Sequence, residues 1–300
     1  MATKKWPEIP KDAIRWVRSV FAEANRKATE RLINVPNIRE TSLDDGLIEA
    51  ITPLSAPRLL PSGAVVELQV HNIGGLRRVG KWETADIAIL VFIYDHNQLV
   101  AQKIGLLQSK RLYPLNGDVD DADPLGFAYG MNAFLHRQPG SPLGILRRKF
   151  EFDESSVYGA LHAGDKQVEV IDDFNKQFGE AIYYLFYNPP DLPSTMHYPA
   201  TELRTVTEPP LGCRVFTADE VHAVLDTLDN GHNPSIGELQ TEAELSNWRL
   251  ETWVADLLLA CKVGQQFDET REELVSRLIE RRSGPIGAAI AVSIALPQEG

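Results

Sequence analysis

Apolar and polar positions change period several times along this chain, and each change marks an element. Ile14, Val17, Phe21, Ala24 and Ala28 recur at helical spacing with charges between them, which predicts an amphipathic helix over 11–33. Leu43, Leu47, Ile48 and Ile51 form a second helical stripe. Thr41 or Ser42 is its expected cap, with Asp44 and Asp45 in the first turn, where carboxylates favour the helix dipole. Residues 64–72 alternate as a strand does. Residues 87–94 are apolar almost throughout, the pattern of a strand covered on both faces. A second apolar run follows the polar Asp95-His96-Asn97-Gln98, so the two predict a hairpin. Val168, Ile171, Phe174 and Phe178 keep a helical period closed by Gly179, and an aromatic run over 181–187 stops at Pro189-Pro190. Helix then strand is the crossover that adds a strand to a sheet. Beyond a Pro-rich stretch over 191–215, Thr217 and Glu220 make a capping box for a helix over 217–228. Further helices are expected over 245–261 and 270–282, and 286–296 closes as a strand or buried tail.

Polar residues return only where the hairpin opens: Asp86 at the start of one strand, Gln108 and Lys110 at the end of the other. If the turn is centred on Asn97, Asp86 faces Gln108. If it is centred half a residue earlier, Asp86 faces Leu107 and keeps Gln108 as a diagonal neighbour. Gln108 and Lys110 share one face of their strand. A carboxylate, an amide and an ammonium therefore converge at one end of a buried hairpin, a costly arrangement unless they pair or hold a metal.

An Asp, a hairpin and then Gln-x-Lys resembles the PD-(D/E)XK nucleases, in the Mrr-like branch where Gln replaces the usual acid. The resemblance covers roughly residues 38–188. It implies an α/β fold: a restriction-endonuclease-like core with a mixed central sheet flanked by helices, plus C-terminal helices. It also implies that Asp86 and Gln108 hold Mg²⁺ or Mn²⁺ while Lys110 activates the attacking water. In the family a Glu from the first core helix often approaches the metal, and Glu40 is the candidate here. Swapping Glu for Gln weakens metal affinity, so Glu40 or Glu83 would compensate. Gln167 and Gln177 are further candidates set against a plain helix surface. The domain reading is an N-terminal helix over 1–37, a nuclease-like core over 38–190 and a helical extension over 191–300 packed on it.

Composition bounds this without deciding it. The 300 residues carry a net charge of −12, which argues against a surface that is basic all over. Residues 1–40 nevertheless hold nine Lys or Arg against five acids, and 76–111 hold six against three, so the segments needed for catalysis are locally positive. Arg77, Arg78, Lys81 and Arg111 are candidate phosphate contacts; Arg15, Arg18 and Arg26 read better as a solvated helix face. Gly75 to Lys81 matches G-x-x-x-x-G-K, but Trp82 follows where a P-loop needs Ser or Thr, and a strand follows where it needs a helix. The acidic run over 116–124 lacks calcium-loop spacing. No H-E-x-x-H or G-x-S-x-G occurs. Two distant cysteines and an N-terminus without an apolar core imply a reduced, cytoplasmic chain. No run is long enough for a membrane span.

The expectation is thus a metal-dependent nuclease acting on DNA, in a restriction or antiviral-defence setting, as a homodimer or as a subunit of a defence complex. Two alternatives stay open. One is a non-catalytic interaction protein on the same fold, with Asp86 and Lys110 as a buried ion pair. The other is an RNA-directed nuclease.

Overall fold

In the computed structural model, which describes residues 5–73, 85–115, 148–198, 200–242, 246–279 and 286–298, the chain opens with α1 (Lys11–Asn34). It turns at Pro36 into α2 (Glu40–Ile51). The second helix starts earlier than its cap candidates imply: Arg39 holds the N-cap position without a side-chain bond, and Thr41 and Ser42 lie inside the first turn. Asp44 is therefore one turn in from Glu40, on the helix's inner face.

A short edge strand β1 (Arg58–Leu59) leads to β2 (Val65–Asn72), and then come the hairpin strands β3 (Ala85–Asp95) and β4 (Gln98–Arg111). After β5 (Arg148–Phe152) the expected crossover is present: α3 (Lys166–Phe178), capped by Asp165, then β6 (Ile182–Tyr187). Next follow β7 (Ser194–Tyr198), β8 (Arg214–Thr217), α4 (Ala218–Thr227), α5 (Ile236–Glu242) and β9 (Trp248–Arg249). The Thr217 hydroxyl caps α4 by accepting from Glu220 N–H and donates to the Glu220 carboxylate, while Thr217 N–H donates to Ser246 Oγ instead of returning to Glu220, so the cap is present and the reciprocal half of the box is not. The apolar stretch after β9 is α6, one α-turn (Leu250–Thr252) that continues as a π-helical segment (Trp253–Leu258). Then β10 (Gln265–Gln266), α7 (Glu269–Leu278) and β11 (Ile286–Ala295) complete the described chain.

The architecture is α/β, with a large mixed, mostly antiparallel central sheet flanked by helices. Its order is β1-β2-β11-β3-β4-β6-β8-β9, with β10 paired to β4 beside β6; β5 and β7 form a separate pair. The last third is thus more than a helical extension. It supplies four strands of this sheet, and β11 lies in the middle, antiparallel to β2 and parallel to β3. The sheet runs continuously across the expected boundary at 190, through the β6–β8 pair.

Alternation along β3 and β4 sorts the core into two layers. Ile87, Ile89, Val91, Ile93 and Leu107 pack under α1, α2 and α6, with Phe21, Leu43 and Trp253. Ala88, Leu90, Ile104 and Leu106 pack on the opposite side with Ile171 and Phe178 of α3, Val221 of α4 and Leu239 of α5. The hairpin uses both registers. His96 and Asn97 take positive φ of 48° and 62°, a two-residue turn that pairs Asp95 with Gln98 and Tyr94 with Leu99. One residue, Val100, is then left without a partner, and from Ile93↔Ala101 to Ile87↔Leu107 the register is the one that carries Asp86 opposite Gln108.

Candidate active site

The open end of the hairpin meets the N-terminal turns of α2 and α3 and the last residue of β6. Odd and even positions of β4 divide the chemistry between the two faces of the sheet. Gln108 and Lys110 point to the α3 side. Gln108 Nε2 donates to Asp86 Oδ2 at 2.6 Å, and Lys110 Nζ donates to Gln167 Oε1 at 3.0 Å. Ser109 and Arg111 point to the α2 side. Ser109 Oγ donates to Asp44 Oδ1 at 2.6 Å, and Tyr187 Oη donates to the same oxygen at 2.7 Å. The backbone joins the halves: Ser109 N–H donates to Asp86 Oδ2 at 2.7 Å, and Arg111 N–H to Glu40 Oε2 at 3.0 Å.

Three carboxylates share this small space. Burial pushes Asp44 up to about 7, against the bonds from Ser109 and Tyr187, with the charges of Glu40 and Asp45 adding to the rise. Asp86 is raised well above the usual carboxylate range by burial first, then by the charges of Asp44 and Glu40, with Lys110 pulling the other way. Burial and the Asp44 charge also raise Tyr187, so its hydroxyl keeps its proton and acts as a donor. Carboxylates held this way favour a proton or a cation among them.

Gln108 is the amide in this set. Its side chain is 2% exposed, and its Oε1 is buried without a hydrogen-bond partner. Buried carbonyl oxygens are nearly always satisfied, so an orphan beside a desolvated carboxylate has the character of a cation ligand. The donor pair here is all oxygen, Asp86 and Gln108, and the carboxylates of Asp44 and Glu40 lie on the α2 side of the same strand end. Hard divalent cations such as Mg²⁺ and Mn²⁺ prefer oxygen donors. Among the described residues, no three His, Cys, Asp or Glu side chains cluster tightly enough to form a ligand cage by themselves. Mg²⁺ keeps several waters and does not need one.

The structure brings Asp86, Gln108 and Lys110 to one end of the hairpin and places Glu40 within reach of the end of β4. It removes Arg111 from the phosphate contacts. That side chain is 3% exposed, with Nη1 donating to Ile38 O, Nη2 donating to Pro36 O at 3.2 Å, and the guanidinium stacked 4.0 Å over the Tyr113 ring. It clamps the α1–α2 turn to β4. Arg77, Arg78, Lys81 and Glu83 lie outside the described residues, as does the acidic 116–124 run. On α1, Arg18 pairs with Asp256 and Arg26 with Glu23 and Glu30, a structural use of those charges. Gln167 departs from a plain helix surface, being buried against Lys110. Asp44, Ser109 and Tyr187 were absent from the sequence-derived set. The four-residue spacing of Glu40 and Asp44, on the face shared with Leu43 and Leu47, is the signal that could have found Asp44.

No family model, curated protein or solved structure matches this chain. Among the described residues no helix is long and apolar enough to cross a membrane.

Proposed function

We propose that this chain is a divalent-cation-dependent nuclease of the restriction-endonuclease-like class, hydrolysing phosphodiester bonds in DNA. The observation that carries the reading is the buried, unpartnered carbonyl of Gln108 beside the raised carboxylate of Asp86, with Lys110 two residues along the same strand face. The order of elements supports it: the acidic helix α2, the strand β2, the hairpin β3–β4, the crossover helix α3 and the strand β6 parallel to β4. In the nuclease class that the sequence resembles, such a crossover follows the strand bearing the lysine. The insertion of β11 between β2 and β3 is a feature of this chain.

Asp86 and Gln108 would hold the cation, with Asp44 and Glu40 adding negative charge behind them. A bound divalent cation supplies charge neutralisation at the phosphate and a more acidic water. The chain's own part is positioning. Gln167 holds the Lys110 ammonium at 3.0 Å, so Lys110 can orient the attacking water and meet charge developing on phosphorus-bound oxygen. Ser109 Oγ and Tyr187 Oη fix Asp44, and Ser109 N–H fixes Asp86. Lys110 is held by Gln167 and makes no ion pair with Asp86, which favours a positioning role for its ammonium over a buried Asp86–Lys110 pair. The restriction or antiviral setting, and a homodimer or partner subunit, rest on the resemblance alone.

The test is cleavage of supercoiled plasmid, single-stranded DNA and tRNA with Mg²⁺ or Mn²⁺. The wild-type chain is expected to nick or linearise the plasmid, and Asp86→Ala and Lys110→Ala each to lose about 100-fold or more. Preferential cleavage of tRNA moves the substrate to RNA. No cleavage of any of the three with either cation refutes the reading.

A further inference from the structure

A second cluster of reactive side chains lies on the α6 side of the sheet, away from the hairpin mouth. Lys103, in the middle of β4, is 2% exposed. No carboxylate among the described residues forms an ion pair with it. Its Nζ donates to Cys261 Sγ at 3.2 Å and sits 5.7 Å from the centre of the Trp6 ring. Gln266, facing Lys103 across the β10–β4 pair, donates from Nε2 to the same sulfur at 2.7 Å. Cys261 itself is half-buried, on the turn after α6, with a φ of 59°. That turn lies hard against β4: a Cβ on Gly264 would stand 2.8 Å from Ile104 O and 3.3 Å from Lys103 Cε. Burying a lysine is costly unless something accepts its charge, and here the acceptor is a sulfur. Two N–H donors aimed at one sulfur stabilise negative charge on it, the environment of a reactive cysteine.

We propose that Cys261 is a peroxide-reactive thiol whose oxidised sulfur is captured by the Lys103 amine. In the first step the Cys261 thiolate attacks one oxygen of hydrogen peroxide. The O–O bond breaks, the Lys103 ammonium gives its proton to the departing hydroxide, and the products are a sulfenic acid, water and a neutral amine. In the second step the Lys103 nitrogen attacks the sulfenic sulfur. The S–O bond breaks, the hydroxyl leaves as water with a proton from the amine, and an S–N bond joins the two residues. Peroxide is reduced, sulfur is oxidised, and the sum is one thiol, one amine and one peroxide giving a sulfenamide and two waters. Burial pulls the Lys103 ammonium below its usual range while the Cys261 sulfur pulls it back, so the proton can be handed over. The bond would fasten the turn after α6 to the strand that ends in Gln108 and Lys110. It does not depend on the nuclease reading.

Cys213, the other cysteine, is an internal control. It is 1% exposed, and burial holds its thiol well above the usual range. The full chain is treated with hydrogen peroxide, with and without dimedone, then digested and analysed by mass spectrometry. Expected is a Lys103–Cys261 linked peptide two hydrogens lighter than its parts and reversed by a thiol reductant, with Cys213 unmodified. Cys261 should react about tenfold faster than free cysteine at neutral pH. In Lys103→Met the link disappears, dimedone traps the sulfenic acid instead, and oxidation slows about tenfold. The wild-type comparison needs no variant to fold. If Cys261 reacts no faster than free cysteine, or forms no link to Lys103, the proposal is overturned.

Discussion

Asp44→Asn isolates the electrostatics of the candidate site. The carboxylate is 8% exposed and takes bonds from Ser109 Oγ and Tyr187 Oη on one oxygen. Asparagine keeps an oxygen to accept both bonds and removes the charge. Burial raises the folded-state value of Asp44 from 3.8 to about 7. The folded protein therefore keeps a proton that the unfolded chain has lost. This contribution to stability is fully present below about pH 4 and is lost as pH rises through 7. At about 1.4 kcal/mol per pH unit, the difference amounts to up to about 4 kcal/mol at pH 8. Asp86 is raised for related reasons and acts in the same direction. In a chelating buffer, urea unfolding should show Asp44→Asn about 1.5 kcal/mol more stable than wild type at pH 5 and up to about 4 kcal/mol more stable at pH 8, where its Tm is roughly 10 °C higher. Saturating Mn²⁺ at pH 8 should raise the wild-type Tm and close most of that gap, because the cation replaces the missing proton. A wild-type stability that is flat from pH 5 to 8, with Asp44→Asn neutral or harmful at pH 8, refutes the reasoning.

Deleting Val100 should be tolerated: it removes the unpaired residue without moving the Ile87↔Leu107 pair, so the Mn²⁺-dependent Tm rise should persist at a cost of roughly 1 kcal/mol, and its loss would count against the register argument. Arg111→Met should cost about 2–3 kcal/mol in urea unfolding by leaving the Ile38 and Pro36 carbonyls without their donor, while the salt dependence of DNA affinity stays as in wild type; a shallower salt slope would restore Arg111 as a phosphate contact.

The sequence disclosed most where one physical cause dominated. The unbroken apolar run of β3 and the Thr217 cap of α4 were legible because double-sided burial and capping each leave a local mark. The hairpin register was narrowed to two choices, and both occur, separated by Val100; a bulge has no composition of its own, so its place could not be read. Asp44 was hidden by an equally good local explanation, the dipole of a first turn, which the true start at Glu40 removes. Arg111 looked like a free cation because its acceptors are backbone carbonyls on a turn about seventy residues earlier, which no local pattern reports. The central place of β11 was least visible. Its Gly287, Ala288, Ala289, Ala291 and Ala295 have weak strand preference, and only pairing on both edges explains them as a strand.

That placement governs how the molecule can be assembled. The hairpin and its crossover can form as soon as they are synthesised, but the left flank of β3 and the inner flank of β2 each present a row of unsatisfied amides until β11 arrives from the far end of the described chain. A nascent or truncated chain ending before 286 would carry the whole candidate site beside two sticky open edges, so full-length synthesis, or a chaperone that shields those edges, becomes the gate between a soluble intermediate and an aggregate.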